Sequence, residues 1–162
     1  MEILQKHTPL ESALIIAGWL AFIGLWILVL SHYGNLPETI PTHFNAKGEA
    51  DDYGPKATIF LLPAICTLIF IGMPLMLRFP TQMNHYSGKV TPEQATDHYA
   101  WAGRIVNYYN FAIPLVFGIL IYETIQVAHG KTTGLGVWSL VITLILILIP
   151  IPMVLKRVFK AS

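Results

Sequence analysis

One short polar stretch carries most of the side chains in this sequence that could do chemistry. It runs from Leu36 to Lys56, LPETIPTHFNAKGEADDYGPK, between two strongly apolar segments. Alternate residues of an extended strand share a face, so His43 and Asn45 are expected to point the same way. Asp51 and the aspartate after it follow a predicted turn, which would bring them back opposite that face. An imidazole facing carboxylates could bind a metal such as zinc, or a peptide amine.

A structural role is the alternative for the same side chains. His43 and Asn45 could hydrogen-bond the loop backbone, while Asp51 or Asp52 caps the helix that follows. The residues themselves leave three roles open: metal binding, direct contact with a partner, and stabilisation of the loop.

Glu123 is the other residue of interest, because it falls inside an otherwise apolar segment. A carboxylate buried in hydrocarbon is costly, so it is expected to face the helix bundle or water. There it could meet the loop, His129 or Lys56, or it could reach the headgroup layer alone. A metal-dependent membrane enzyme would place His43, Asp51 and Glu123 around an ion.

The composition indicates what kind of scaffold holds these residues. The chain is 54% hydrophobic and 12% charged, whereas soluble domains carry about a quarter charged residues. Its net charge of +1 gives no basic footprint for nucleic acid. The single cysteine, Cys66, excludes an intramolecular disulfide and is interpreted as a small packed hydrophobe.

Long apolar runs predict an all-α integral membrane protein with four transmembrane helices. About 20 apolar residues are needed to cross about 30 Å of hydrocarbon. The predicted spans are residues 12–31, 57–77, 108–128 and 137–155, within one domain covering residues 1–162.

The polar stretch of residues 36–56 is predicted to form a small extracytoplasmic β-hairpin between the first two spans. An isolated hairpin is marginal in water. We therefore expect Ile40, Phe44 and Tyr53 to dock it against the helix ends.

Capping and proline signals predict how the helices begin and bend. Thr8-Pro9-Leu10-Glu11 resembles a capping box, and Thr91-Pro92-Glu93-Gln94 predicts a helix that continues into the third span. We expect a kink near Pro63, an early helix end near Pro74 and a bend at Pro114. Asn107 and Asn110 are expected to hydrogen-bond across helices.

Lysine and arginine counts predict the orientation, since these residues are enriched in cytoplasmic segments. Seven lie on one side of the predicted spans and three on the other, which predicts cytoplasmic termini and an outer hairpin. The seven are Lys6, Arg78, Lys89, Arg104, Lys156, Arg157 and Lys160, and the three are Lys47, Lys56 and Lys131. On the cytoplasmic side, His85, Asp97, His98 and Arg104 could form a partner surface or be solvated connector residues.

The loop IPTHFNAKGEADDYGPK resembles the domain of unknown function 1648 that opens the SdpI-type bacterial immunity proteins. The resemblance covers Ser12 to Leu77 and rests on a Pro-x-His-Phe-Asn turn followed by Gly-x-x-Asp and Gly-x-Lys. The matching positions are Pro41, His43, Phe44, Asn45, Gly48, Asp51, Gly54 and Lys56. It implies a protein of the bacterial cytoplasmic membrane. Longer members protect against an exported toxic peptide and tether a transcriptional repressor, but their additional spans are not found in this sequence.

These observations predict a non-catalytic membrane protein that binds a peptide or an envelope protein through its outer loop, in an immunity or signalling role. No nucleophile elbow, phosphate loop or His-Glu-x-x-His pattern occurs, and no cofactor or catalytic residue is expected. The expected partners are the lipid bilayer and an extracytoplasmic peptide or membrane protein, without nucleic acid. The alternatives are a metal-dependent membrane enzyme, an accessory subunit of a membrane complex, and a small transporter.

Overall fold

The computed structural model of the chain describes residues 8–77 and 92–161. The sequence-based expectations for Lys6, Arg78, His85, Lys89 and Thr91 lie outside the described residues. The elements in order are α1 (Pro9–Tyr33), β1 (Thr39–Phe44), β2 (Ala50–Pro55), a 3-10 helix (Lys56–Phe60), α2 (Leu61–Met76), α3 (Pro92–Ala128), α4 (Val137–Leu148) and α5 (Ile151–Ala161).

In the described part of the chain, four helical segments are long and apolar enough to cross a membrane. They are Pro9–Tyr33, Lys56–Met76, Asp97–Ala128 and Val137–Arg157. The predicted fold class is confirmed, including the two-stranded antiparallel sheet between the first two spans. The chain is therefore a multi-pass membrane protein that contacts the lipid bilayer.

The helix starts agree with the local signals where these are described. The Thr8 side chain accepts the backbone N–H of Glu11, whose carboxylate accepts the backbone N–H of Thr8 in return. This reciprocal pair is the predicted capping box. The helix that begins at Pro92 continues without interruption to Ala128, as the sequence predicts.

Two spans differ from the expected single helices. The second begins as the 3-10 helix and becomes α2 at Leu61, so Pro63 lies in the first turn of α2. The first turn of an α-helix tolerates a proline, and the change from 3-10 to α-helix precedes Pro63. The fourth span is divided into α4 and α5 at Ile149 and Pro150.

Helix α3 is the centre of the packing, since α1, α2, α4 and β1 all contact it. The main cluster of buried residues lies at the hairpin end of the bundle and includes two residues of the polar stretch, Leu36 and Ile40. Cys66 is fully buried there and free, which agrees with its interpretation as a packed hydrophobe. The other residues of this cluster are Leu25, Val29, Ile59, Ile121 and Ile125.

Side chains of α3 satisfy main-chain carbonyls that prolines leave without their helical donors. A proline cannot donate to the carbonyl four residues before it, so Pro74 frees the carbonyl of Phe70. The Asn110 side-chain amide donates to that oxygen at 3.2 Å, which confirms the expected interhelical bond for Asn110. Pro150 frees the carbonyl of Leu146 in the same way, and the Tyr108 hydroxyl donates to it at 2.8 Å.

Close packing of α1 on α3 depends on Gly18. A Cβ at Gly18 would lie 2.9 Å from the main-chain oxygen of Asn110, the carbonyl that Pro114 leaves without its helical donor. A small residue at this position therefore lets the two backbones approach, as small residues do in membrane helices.

Candidate functional site

The hairpin is built by local signals that the sequence displays. Its strands β1 and β2 pair antiparallel, from Thr39 opposite Pro55 to Phe44 opposite Ala50. The pairing is irregular on both sides of His43, so the simple alternation of side chains does not hold there.

Asn45 builds the turn between the strands. Its side-chain oxygen accepts the backbone N–H groups of Lys47 at 2.9 Å and Glu49 at 3.1 Å, and its amide donates to the Glu49 carboxylate at 3.1 Å. All three bonds stay within the turn. Asn45 therefore makes the loop hydrogen bonds of the structural role that was one of the alternatives for it.

The turn between α3 and α4 holds the hairpin to the bundle through backbone contacts with Gly48 and Glu49, which we call the strap. The backbone N–H of Leu135 donates to the carbonyl of Gly48 at 2.7 Å, and Glu49 pairs with Gly134 as an isolated antiparallel bridge. Gly48 has a φ of 81°, which favours glycine. A Cβ there would also lie 3.1 Å from the Leu135 oxygen. The sequence did not predict these contacts, and Gly134 in the turn between α3 and α4 was the local signal for them.

Apolar side chains dock the hairpin only in part as expected. Ile40 is 1% exposed and belongs to the core, and Phe44 is half-buried. Tyr53, in contrast, is 55% exposed, so the expectation that it docks against the helix ends is wrong. The docking comes from Ile40 and from the strap at Gly48, which leaves this tyrosine on the surface.

His43 and Asp51 form an exposed pair on the hairpin. The Nδ1 atom of His43 lies 2.5 Å from a carboxylate oxygen of Asp51, and the two side chains are 66% and 42% exposed. The neighbouring Asp52 accepts a hydrogen bond from the Thr42 hydroxyl at 3.3 Å and one from the backbone N–H of Tyr53 at 2.9 Å. The expected helix cap is absent here, because the 3-10 helix that follows has no side-chain cap.

Gly54 and Lys56 close the base of the hairpin. A Cβ at Gly54 would lie 2.9 Å from the methyl group of Thr42, so a larger residue would push the strands apart. The Lys56 ammonium donates to the Glu38 carboxylate at 2.8 Å and lies 5.5 Å from the centre of the Tyr33 ring. Lys56 thus joins the two ends of the hairpin to the end of α1.

Glu123 anchors helix α4. One of its carboxylate oxygens accepts the Gly136 backbone N–H at 3.3 Å, and the other accepts a short hydrogen bond from the Ser139 hydroxyl. Gly136 is the N-cap of α4 and has no side chain with which to cap it, so Glu123 supplies that function from the neighbouring helix. Its partners are therefore in α4, rather than the loop, His129 or Lys56.

His129 joins the end of α3 to the segment that precedes the hairpin. Its two ring nitrogens lie 2.8 Å from the Ile125 carbonyl and 3.1 Å from the Asn35 carbonyl. Like the strap, this contact fixes the hairpin to α3.

The candidate metal ligands are not brought together. His43 contacts Asp51, while Glu123 is engaged with α4. Within residues 8–77 and 92–161, no group of three histidine, cysteine, aspartate or glutamate side chains is placed to hold a metal.

At the opposite end of the bundle, two residues of α3 that were predicted to form a cytoplasmic partner surface, Asp97 and Arg104, contact two different helices. Asp97 pairs with Arg157 of α5 at 3.0 Å, and Arg104 pairs with Glu11 of α1 at 3.0 Å. The Arg157 guanidinium also lies 3.4 Å from a ring nitrogen of His98.

Comparison with known proteins matches the segment that contains the hairpin. A family model described as a domain of unknown function, DUF1648, matches residues 19–67, which confirms the domain predicted from the loop motif. The chain is also similar to an uncharacterised protein of Archaeoglobus fulgidus, with 38% identity over 81 residues. That alignment covers 49% of this chain and 44% of the relative, so it spans less than half the relative's length. No solved structure matches the chain.

Proposed function

We propose that this protein is a non-catalytic membrane protein whose hairpin binds a peptide or another membrane protein on the outer side of the cytoplasmic membrane. The observation that carries the proposal is the exposure of Tyr53 on a hairpin that is otherwise fixed to the bundle. A large aromatic side chain on a firmly held surface is typical of protein interfaces.

The hairpin is held in one conformation before any partner arrives. Ile40 is buried in the core, Gly48 is bonded to Leu135, and Lys56 is paired with Glu38. A surface that is already ordered loses less conformational entropy on binding. The anchoring therefore favours recognition by a preformed hairpin over recognition by a loop that must fold around its target.

We define the recognition surface as His43, Asp51 and Tyr53. The first two form an exposed hydrogen-bonded pair, and exposed pairs of this kind contribute about 1 kcal/mol or less to stability. The fold does not depend on them, so their hydrogen-bonding groups are available to a partner. Tyr53 adds a rigid apolar ring with a polar hydroxyl, which suits an adaptable contact with a polypeptide.

The resemblance of the loop motif to the SdpI-type proteins is the basis for proposing an immunity or signalling role, and the charge distribution bears on the orientation. The motif positions lie in the domain of unknown function, and the lysine and arginine counts favour a hairpin on the outer side with cytoplasmic termini. In that orientation the recognition surface faces the space through which an exported peptide would approach.

A photo-crosslinking comparison tests the proposal. Tyr53 and Tyr122 are 55% and 51% exposed, but Tyr53 lies on the hairpin and Tyr122 lies within the third span, so the comparison separates capture at the hairpin from capture along the helices. A benzophenone amino acid at position 53 should capture a discrete peptide or protein in native membranes, and this product should be lost when His43→Ala is added. The same product from position 122, or a product indifferent to His43→Ala, would contradict the proposal.

Survival of cells exposed to exported toxic peptides provides the functional measurement. Expression of the wild type should raise survival, a His43→Ala, Tyr53→Ser variant should not, and the exposed turn variant Lys47→Ala should behave as wild type. Asn45 is left unchanged because it builds the turn. Equal protection by the double variant would show that the recognition surface is not used.

A further inference from the structure

A cleft at the end of the bundle away from the hairpin combines an apolar wall with an exposed arginine. It lies between the start of α1, the middle of α3 and the α4–α5 break, with a volume of about 360 Å³. Arg104 and Glu11 line it together with apolar side chains, among them Leu14, Ile105 and Met153. We call it the Arg104 cleft.

The cleft lies at the depth where lipid headgroups meet acyl chains. Glu11 immediately precedes the charge-free run of the first span, and Arg104 immediately precedes the charge-free run of the third. The apolar wall extends from this level along the spans, since Leu14 lies within the first span and Ile149 within the fourth.

Arg104 is held so that most of its hydrogen-bond donors remain available. Its Nε donates to one Glu11 oxygen at 3.0 Å, and the other Glu11 oxygen accepts the backbone N–H of Thr8 at 2.8 Å. The bond to Glu11 is the only one described for the Arg104 guanidinium among residues 8–77 and 92–161, and the Arg104 side chain is 57% exposed. The terminal amino groups therefore present a fork, which is the geometry that matches a phosphate.

Among the residues that the structure describes, the accessible charge at the mouth of the cleft is positive. The Glu11 side chain is only 16% exposed, against 57% for Arg104, so the acid is covered while the guanidinium is not. Lys156 is exposed on α5 at the same end of the bundle. An anionic group with an apolar chain complements both parts of this surface, and basic clefts between membrane helices suit such headgroups.

We propose that the Arg104 cleft is a binding site for an anionic phospholipid, with the phosphate on the terminal amino groups of Arg104 and one acyl chain against Leu14, Ile105 and Met153. This site is independent of the hairpin and of the function proposed for it.

Native mass spectrometry of the detergent-purified protein tests this site, with phosphatidylglycerol and phosphatidylcholine of identical acyl chains as probes. Wild type should retain one phosphatidylglycerol in preference to phosphatidylcholine. Arg104→Gln should weaken phosphatidylglycerol binding about tenfold, because charged hydrogen bonds are lost. Arg157→Gln is the matched control, since Arg157 is also bonded to a carboxylate but does not line the cleft, and it should change binding less than about threefold.

A second variant and a soluble probe make the test independent of the arginine. Met153→Trp should fill the apolar part and weaken phosphatidylglycerol binding without removing any charge. Glycerol 3-phosphate should not displace the lipid, because it lacks the acyl chain. Equal retention of the two lipids by wild type, equal losses in both arginine variants, or displacement by glycerol 3-phosphate would each overturn the proposal.

Discussion

Asn110 donates its side-chain amide to the main-chain carbonyl of Phe70 at 3.2 Å, which links α3 to α2 inside the span. Phe70 precedes Pro74 by four residues, so its carbonyl has no donor within its own helix. The bond therefore supplies a donor to the carbonyl that the proline in α2 leaves unpaired. A proline is tolerated inside a membrane helix when a neighbouring helix supplies such a donor.

This relationship predicts a dependence between two substitutions. Asn110→Leu should lower the free energy of unfolding in lipid by about 1 kcal/mol, a typical value for an interhelical hydrogen bond in a membrane. The loss is limited because the Asn110 side-chain oxygen has no partner among the described residues. In a Pro74→Ala background the loss should shrink, because residue 74 can then donate to Phe70 itself.

A double-mutant cycle measured by reversible unfolding in mixed micelles checks this prediction. Thr124→Val, which removes a hydroxyl bonded within α3 to the Leu120 carbonyl, is the control and should cost the same in both backgrounds. An Asn110→Leu cost that is unchanged by Pro74→Ala would show that the freed carbonyl is not what the amide stabilises.

Tyr108 gives the corresponding prediction for the break between α4 and α5. Tyr108→Phe should destabilise the fold by about 1 kcal/mol, because the Leu146 carbonyl loses its 2.8 Å donor and Pro150 cannot replace it. Pro150→Ala should reduce that cost. Tyr109→Phe is the control, because its bond to Ile147 is longer, 3.3 Å, and that carbonyl is not one that a proline frees. Equal costs for both tyrosine variants would contradict the assignment.

Gly48→Ala should destabilise the hairpin through two separable effects. The left-handed backbone at a φ of 81° costs about 1–2 kcal/mol for a residue with a Cβ, and the new methyl group would crowd the Leu135 oxygen at 3.1 Å. Gly130→Ala shares the first effect only, since its φ is 70° and no atom lies within 4 Å of the added Cβ. The free energy of unfolding should fall more for Gly48→Ala than for Gly130→Ala.

Amide hydrogen exchange should locate the effect of Gly48→Ala in β1 and β2. Gly34→Ala is the reference, because Gly34 has a φ of −63° and open space around it, so this variant should be neutral or slightly stabilising. If Gly48→Ala and Gly130→Ala lower the free energy of unfolding equally, the contact of Gly48 with Leu135 has no energetic role.

Glu123→Ala should loosen α4 specifically. Removal of the carboxylate leaves the Gly136 N–H and the Ser139 hydroxyl without their acceptor. Loss of a helix cap costs about 1 kcal/mol, so exchange in the first turn of α4 should accelerate roughly fivefold. Amides in α1 should be unchanged, and Ser139→Ala should give a smaller effect because the Gly136 contact remains. Uniform acceleration across all helices would argue against a capping role.

The classes of element were predictable because they depend on local patterns. The shortage of charge and the long apolar runs specify spanning helices, whatever those helices pack against. Thr8 and Glu11 specify a helix start within four residues of chain. Asn45 and Gly48 specify the turn of the hairpin, since the asparagine bonds its own backbone and the glycine accepts a left-handed conformation.

The positions of the functional side chains depended on contacts between distant parts of the chain. Tyr53 is exposed because Ile40 and the strap from Leu135 already hold the hairpin. Glu123 serves α4 because the turn after α3 returns Gly136 to its carboxylate. A local pattern shows that a side chain needs a partner, but it does not identify a partner supplied by another helix. Only the packing around α3 brings these groups together, and it therefore separates the exposed recognition residues from those that stabilise the fold.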